Sequence, residues 1–355
     1  MIDANALIDL SELRDSARKL LARAKELEAG PRDVWNMMLE HGWVALCLPQ
    51  AGGGLAQPFS ALGVVYQELG RVLAPHTLIG VSLCLGALVN FIDRDAAGEL
   101  IDRTLAAKAV PLGIAMSNGL IADRDRLGGI LRNVPDAGEA SHLLVPIHAD
   151  RLRMLLLPLP NPRVTVTYRA TWDQTRRIFD VAFDDLELAG ATLFDSDDGC
   201  AAASTRMTAH HDLAIACDAV GGGEAIFQDT IAYMQLRQQF NRPIASFQAL
   251  KHRCADLSTT MAASHALVTA SCAAFSGETG DWATSAACCR LYSSAAYRQV
   301  TEEAIQLHGG IGFTWEHHCH RFLKRARLND VLGATPEQRQ DAVAPAIFRS
   351  ARSES

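Results

Sequence analysis

The sequence lacks a surplus of basic residues and lacks a long apolar run. Its 33 Lys and Arg residues are outnumbered by 40 Asp and Glu residues, which gives a formal charge of −7. Nucleic-acid-binding domains usually carry a basic surface, so we expect no nucleic-acid partner. The most apolar stretch, residues 78–88, is too short and too rich in glycine to cross a bilayer. We therefore expect no association with a membrane.

The start of the chain, Met1 to Ala4, has neither the basic nor the apolar segment of a signal peptide. The nine cysteines also lack the paired spacing of a zinc site, since Cys288 and Cys289 are adjacent and have no second pair. Most of the others, including Cys217, lie in apolar helical patterns, which is typical of buried free thiols in a reducing compartment. These features predict a cytoplasmic protein.

Both ends of the chain show the spacing of amphipathic helices, with apolar residues recurring at three- and four-residue steps. In the middle, apolar and polar residues alternate with period two, as at Val164 and Val166, which indicates strands. The pattern predicts a mainly α chain with a central β domain. We place an N-terminal helical domain at residues 1–108, a middle β domain at 109–196 and a C-terminal four-helix bundle at 197–355.

Local glycine and aspartate pairs predict turns. Gly128-Gly129 is interpreted as a hairpin turn, and Asp184-Asp185 as the turn that leads out of the β domain. Three consecutive glycines, Gly221 to Gly223, fall inside a helical pattern where each lowers helix propensity by about 1 kcal/mol. They therefore indicate a point of close helix packing.

A proline-containing break separates two long helical patterns. Pro243 cannot donate a backbone hydrogen bond and disfavours helical geometry at the preceding residue, so the break belongs there. Around it lie Arg237, Phe240 and Gln248. A guanidinium can bind a pyrophosphate through two parallel hydrogen bonds, and a ring and an amide suit a nucleotide base or an isoalloxazine. A helix hairpin with a surface arginine explains this segment equally well.

A glycine cluster follows another helical pattern. Gln306 precedes Gly309 and Gly310, whose backbone allows a ligand to approach closely and leaves N–H groups free to face an anion. A cluster of this kind taken alone is usually a helix C-cap.

Together, the segments RQQFxRPIxxFQxxKHxxAD and QxHGGIGFTWEHxxHRxxKRA resemble the flavin-contacting segments of the acyl-CoA dehydrogenase family. The N-terminal order of Gly42-Trp43, Pro49, the following glycines and Glu68-Leu69-Gly70-Arg71 is similar to that family as well. The resemblance implies FAD as cofactor, an acyl-CoA substrate and an electron-transferring flavoprotein as electron acceptor. It assigns cofactor contacts to Arg237, Phe240, Gln248, Gln306, Gly309 and Gly310.

The sequence departs from the family at its catalytic positions. Members place a glutamate base at one of two positions, which here hold Gly333 and His211, with Asp212 beside the latter. In catalytic members two segments hold the flavin ring and the thioester, and they correspond here to residues 113–121 and 128–133. The residue patterns that these segments have in catalytic members are not present in this sequence. The resemblance therefore assigns no catalytic residue to this chain.

The retained and lost features resemble the degenerate subunit of the heteromeric α2β2 acyl-CoA dehydrogenases of bacterial steroid side-chain degradation. This resemblance implies that the chain contributes FAD contacts to a site shared with a homologous catalytic subunit. Two alternatives stay open. One is a self-sufficient dehydrogenase with His211 or Asp212 as an unusual base, and the other is a structural paralogue without flavin.

The run His317-His318-Cys319-His320 is not expected to bind a metal, because adjacent residues on a helix face different directions. The basic run from Lys324 to Arg327 is interpreted as the last turn of the same helix, where positive charge complements the helix dipole.

Overall fold

The structure, a computed structural model, describes residues 7–26, 29–75, 77–92, 94–115, 120–123, 125–148, 151–189 and 191–353. Numbered in chain order, the helices of these residues are α1 (Leu10–Glu26), α2 (Pro31–Glu40), α3 (Phe59–Arg71), α4 (Thr77–Ala87), α5 (Arg94–Leu105), α6 (Asp197–Leu236), α7 (Gln248–Gly277), α8 (Trp282–His308), α9 (Cys319–Val331) and α10 (Pro336–Ser353). The strands are β1 (Pro111–Gly113), β2 (Leu120–Ala122), β3 (Arg126–Pro135), β4 (His142–His148), β5 (Leu152–Pro158), β6 (Val164–Arg169), β7 (Ile178–Glu187), β8 (Thr192–Phe194), β9 (Gln238–Gln239) and β10 (Arg242–Pro243). The prediction of a mainly helical chain with a central β region is confirmed.

Helix gives way to strand between Leu105 and Pro111, and strand gives way to helix between Phe194 and Asp197. Internal contacts divide the chain differently, into two compact units. One unit comprises Met1–Asp9, Leu27–Leu62 and Pro75–His211, and the other comprises Leu10–Glu26, Gly63–Ala74 and Asp212–Ser355. The three domains at residues 1–108, 109–196 and 197–355 stay a prediction.

The most apolar stretch of the sequence is helix α4, which belongs to the first unit and is buried along its length. A helix that is apolar on every side needs an apolar environment all round. Here β1 supplies part of it, since a Cβ added to Gly113 would lie 2.6 Å from the backbone nitrogen of Cys84. Within the described part of the chain, no helix combines the length and apolarity required to span a bilayer.

Two four-stranded sheets form the β region of the first unit. The first has the order β1-β4-β5-β8, with β1 parallel to β4 and the other pairs antiparallel. Val145 of β4 lies opposite Leu155 of β5, and both strands are buried on both faces. The second sheet is antiparallel, with the order β2-β3-β7-β6.

The predicted turns at Gly128-Gly129 and Asp184-Asp185 are wrong. Both pairs lie inside strands β3 and β7, which pair with each other on either side of a register shift. Asp184 and Asp185 stand opposite the single residue Gly128, which is the arrangement of a β-bulge. Gly129 and Asp185 have φ angles of +110° and +49°. The glycine and aspartate pairs that are typical of turns here accommodate an extra residue of β7, while β3 and β7 continue to pair on both sides of it.

The second unit is helical apart from the short β9–β10 pair. The three glycines of α6 mark close packing, as predicted. A Cβ on Gly221 would overlap the carbonyl oxygen of Gln67 in α3, and one on Gly222 would lie 2.6 Å from the hydroxyl of Tyr297 in α8. Tyr297 and Val300 of α8, Leu257 and Met261 of α7, and Phe322 and Ala326 of α9 belong to one apolar core with residues of α6.

The interpretation of Lys324 to Arg327 as a final helical turn is wrong, because α9 continues to Val331. Arg325 is instead fully buried in the middle of this helix. Its guanidinium donates to Asp218 Oδ1 at 3.0 Å and to the carbonyls of Leu73 and Ala74 at 3.1 and 3.0 Å. A buried charge paired and hydrogen-bonded in this way fixes α9 against α6 and the end of α3.

Candidate cofactor-contact site

A short β-hairpin joins α6 to α7 and carries the first predicted motif. β9 pairs with β10, with Gln239 opposite Arg242. The residues between the strands, Phe240 and Asn241, have φ angles of +52° and +60°. Positive φ at both central positions is the requirement of a type I′ turn, which matches the twist of a two-residue hairpin. Asparagine tolerates this conformation, whereas a bulky phenylalanine is strained in it.

The strained Phe240 is held out into solvent. Its side chain is 87% exposed, and its ring meets the Phe247 ring edge-on with 6.2 Å between centroids. The guanidinium of Arg242 lies over the Phe247 ring, 4.1 Å from its centroid. Arg237 is exposed where α6 ends, and its backbone N–H still donates to Tyr233 O at 2.8 Å. The hairpin therefore offers an aromatic ring and two cations on its surface.

The second predicted motif forms the end of α8. Gly309 caps this helix with φ +64° and ψ −141°, a conformation that disfavours any residue with a Cβ. Gly309 and Gly310 are exposed, and an added Cβ on either would meet no atom of the described residues within 4 Å. The backbone here is open to close approach by another molecule. A 3-10 turn from Gly309 to Phe313 follows, and Phe313 and Trp315 are each 74% exposed.

Two contacts bring the motifs together within the second unit. The ring of Tyr233, one turn before Arg237, stacks on the ring of His308 with centroids 4.3 Å apart. The Tyr233 hydroxyl also donates to the His308 carbonyl at 3.4 Å. Beneath them, Leu307 packs in a small apolar cluster with Met234 of α6, Cys254 and Leu250 of α7, and Ile244 of the hairpin connection. The cluster holds the end of α8 beside the hairpin.

All six predicted contact residues are exposed to solvent. They are Arg237, Phe240, Gln248, Gln306, Gly309 and Gly310. Their donor chemistry fits a dinucleotide cofactor, because a guanidinium can pair with a pyrophosphate while an exposed ring, amides and open backbone suit its other parts.

Neither family base position offers an available carboxylate. Gly333 has a φ angle of +82°, which strains any side chain placed there. Asp212 is 2% exposed and forms an ion pair with Arg339 of α10, whose guanidinium also donates to Leu332 O at 3.1 Å. His211 is also buried, at 8% exposure. Asp212 is therefore engaged in holding α10 to α6.

Beyond the predicted residues, a group of histidines and a cysteine surrounds the turn after α8. His308 and Cys319 are buried, and His317 is half-buried between them. Burial lowers the pKa of both histidines, and for His308 it outweighs the opposing hydrogen bond to Ala304. Burial also raises the pKa of the Cys319 thiol to about 12. His318 is tied to α6 through a 2.8 Å contact between its Nε2 and Asp229 Oδ2.

Sequence reasoning did not select Tyr233 and His308 as residues that join the two motifs. Both lie one turn or less from a predicted contact residue, which is the signal that could have indicated them. The degenerate segment at residues 113–121 is described only in part, since residues 116–119 lie outside the described residues.

Comparison with known proteins places this geometry in context. Residues 9–108 match the family described as "Acyl-CoA dehydrogenase, N-terminal domain", and residues 197–348 match "Acyl-CoA dehydrogenase, C-terminal domain". The chain is 30% identical to Acyl-CoA dehydrogenase IpdE2 of Mycolicibacterium smegmatis over 354 residues, which covers 96% of this chain and all of that protein.

Solved structures of similar fold include two that are described as complexes or pairs. The ChsE4-ChsE5 complex from Mycobacterium tuberculosis has a chain with a TM-score of 0.85 at 19% identity, covering 98% of this chain and 99% of that one. A variant of the Tcur3481-Tcur3483 steroid ACAD has a TM-score of 0.84 at 21% identity, covering 97% and 98%. At these identities the likeness concerns the fold.

Proposed function

This chain belongs to the acyl-CoA dehydrogenase family, an FAD-dependent family of oxidoreductases, and from that membership we propose that it is the non-catalytic subunit of a heteromer. It contributes FAD contacts to a site that a homologous catalytic subunit completes, in an α2β2 assembly. The reaction is α,β-desaturation of an acyl-CoA thioester.

The observation that carries this proposal is an asymmetry within one unit. Arg237, Phe240 and Gly309 are retained and exposed, whereas Gly333 has a glycine backbone conformation and Asp212 is paired with Arg339. A chain that exposes these contact residues but has no available carboxylate at either family base position can assist a neighbour, and the neighbour must then supply the group that removes the α-proton. The similar fold found in the ChsE4-ChsE5 complex, which names two proteins, supports a heteromer.

In this proposal each retained residue has a binding role. Arg237 donates to the pyrophosphate of FAD, Phe240 packs on the cofactor, and Gln248 and Gln306 donate from their amides. Gly309 and Gly310 admit the adenosine side, because their backbone is open. FAD, when bound, supplies the hydride-accepting chemistry of the family. The catalytic subunit supplies the base for the α-proton, which must be close and desolvated to act on so weak an acid.

The substrate that we propose is the CoA thioester of a steroid side chain. It rests on the steroid ACAD among the similar folds and on the degenerate-subunit pattern of the sequence. Electrons would pass from the heteromer to an electron-transferring flavoprotein, as the family resemblance implies.

The test is to co-express the chain with a homologous catalytic subunit and to measure FAD per heteromer by visible absorbance after gel filtration. Arg237→Ala removes a charge-assisted contact worth roughly 1.5–3 kcal/mol, so FAD affinity should fall by about tenfold or more while the heteromer persists. Arg253→Ala is the matched control, because Arg253 is an exposed arginine of α7 that pairs with Glu303 at 2.8 Å.

Three results would overturn the proposal. The first is full FAD occupancy in the Arg237→Ala heteromer. The second is a chain that, purified by itself, is yellow and oxidises an acyl-CoA, which would favour a self-sufficient dehydrogenase. The third is a chain that takes up no flavin with any partner, which would favour a structural paralogue.

A further inference from the structure

Three potential metal ligands meet where α8 ends and α9 begins. The ligand atoms of His308, His317 and Cys319 all lie within 4.8 Å of one another. His317 and His318 precede α9, which starts at Cys319, so the helical spacing assumed for this run does not apply to His317. The chain can therefore direct His317 and Cys319 toward the same point, and α8 brings His308 to it.

His308 has the hydrogen-bonding pattern of a metal ligand. Its Nδ1 lies 2.8 Å from the carbonyl oxygen of Ala304, and a carbonyl can only accept, so Nδ1 carries the proton. In the neutral ring Nε2 then holds a lone pair. Nε2 is buried and has no hydrogen-bond partner among the described residues, in a side chain that is only 3% exposed. Metal-bound histidines typically donate their other ring N–H to a carbonyl in this way.

The other two groups lie against the His308 ring. The sulfur of Cys319 lies 3.4 Å from His308 Nδ1. His317 Nδ1 accepts a long 3.3 Å hydrogen bond from the Cys319 backbone N–H, which holds this ring beside Cys319. The rings of His308 and His317 have centroids 4.3 Å apart. To share one ion with Cys319 through Nε2, the His308 ring must turn, because the sulfur now lies at its protonated Nδ1.

We propose that His308, His317 and Cys319 bind one divalent transition-metal ion of the zinc class. Two imidazoles and a thiolate favour zinc and similar ions over magnesium or calcium, which prefer oxygen ligands. Three protein ligands also match sites that keep a fourth position open. On binding, the Cys319 S–H bond gives its proton to solvent as the metal–sulfur bond forms, and no electron is transferred.

Such an ion fastens the first residues of α9 to the last turn of α8. The turn between them begins at Gly309, which is a residue of the proposed cofactor site. Metal binding itself requires neither FAD nor a partner chain, so the two proposals can fail separately. A heteromer that holds FAD but binds no metal would refute only the metal-site proposal.

The experiment titrates the 355-residue chain, co-purified with its partner subunit, first with Co²⁺ and then with Zn²⁺. We expect one Co²⁺ per chain, a thiolate-to-cobalt charge-transfer absorption, and displacement by Zn²⁺, with a higher Tm in the presence of zinc. Cys319→Ser should abolish the charge-transfer band. His317→Asn, at the half-buried ligand, should weaken binding by about tenfold or more, since even outer-shell losses reach that size.

His320→Asn is the matched control, because His320 is a neighbouring histidine that is not one of the three proposed ligands. The metal affinity of this variant should equal that of the unaltered chain. The absence of a cobalt–thiolate band in the unaltered chain would overturn the proposal whatever the variants do. Equal zinc affinity in the His317→Asn chain and the unaltered chain would also overturn it.

Discussion

The ring of Tyr233 in α6 stacks on the ring of His308 at the end of α8, with centroids 4.3 Å apart and planes inclined by 23°. This contact places the arginine-bearing hairpin beside the glycine turn, although the two residues are 75 positions apart in the sequence. The relative position of the proposed FAD-contact residues on the hairpin and on the glycine turn therefore depends on this ring pair, although neither ring is itself proposed to contact FAD.

Replacing Tyr233 tests this dependence. Tyr233→Phe keeps the stacked ring and loses only a long 3.4 Å hydrogen bond, so stability and FAD occupancy of the heteromer should change little. Tyr233→Ala should lower the free energy of unfolding by about 2–4 kcal/mol and reduce FAD occupancy. Denaturant unfolding and visible absorbance measure the two effects. Normal FAD binding in a destabilised Tyr233→Ala heteromer would contradict the positioning role.

Phe240 provides a prediction in which stability and binding move in opposite directions. Its φ of +52° is strained for phenylalanine but acceptable for asparagine. Phe240→Asn should therefore stabilise the chain by about 0.5–1 kcal/mol, and it should weaken FAD binding because the exposed ring is lost. The neighbouring change Asn241→Ala should instead destabilise, since alanine tolerates φ +60° poorly. Unchanged FAD affinity in Phe240→Asn would exclude Phe240 from the site.

Local periodicity was sufficient to predict much of the fold. Apolar steps of three and four residues at both ends of the chain correspond to helices such as α1 and α7, and the alternation at Val164 and Val166 corresponds to β6. These signals are local, because the face of a helix or strand that is buried repeats along its own sequence. The predicted contact residues came from the family resemblance and not from periodicity.

Features that depend on distant partners could not be predicted in this way. Gly128 and Asp184 look like turn residues until β3 and β7 are paired, because a bulge is a property of two strands. Arg325 looks like a surface charge at a helix end until Asp218 is seen beside it. His308 is separated from Cys319 by a turn whose path is set by Gly309. In each case tertiary contact decides the role of the residue.

The buried pair of Asp212 and Arg339 separates a structural role from a catalytic one. Asp212→Asn leaves Arg339 without its counter-charge, so the free energy of unfolding should fall by about 3–5 kcal/mol. The double variant Asp212→Leu/Arg339→Met removes both charges and should recover most of that loss. Together with the single variants Asp212→Leu and Arg339→Met, it forms a double-mutant cycle, and denaturant unfolding of these chains measures the coupling.

Activity then distinguishes the two roles. If Asp212 is structural, the double variant should support the same turnover in the heteromer as the unaltered chain. A large loss of turnover in a well-folded double variant would favour the alternative in which this position supplies the base.

His210 predicts how stability depends on pH. The ring packs edge-on against Phe59 with centroids 4.7 Å apart, and burial, with smaller contributions from Arg206 and His211, lowers its pKa from the ordinary value of 6.5. The folded chain therefore keeps His210 neutral at a pH where the unfolded chain binds a proton. The stabilisation is fully present above pH 6.5 and is lost progressively as the pH falls toward the lowered folded pKa.

The measurement compares urea unfolding at pH 7 and at about pH 5. His210→Gln removes the group that gains a proton on unfolding, so its free energy of unfolding should fall less between these values, by about 1–2 kcal/mol relative to the unaltered chain. His252→Gln, at an exposed histidine of α7, should leave the slope unchanged. Parallel pH profiles for the His210→Gln and unaltered chains would show that this ring is protonated as readily in the folded state as in the unfolded one. In that case its contact with Phe59 would impose no penalty on the charged form.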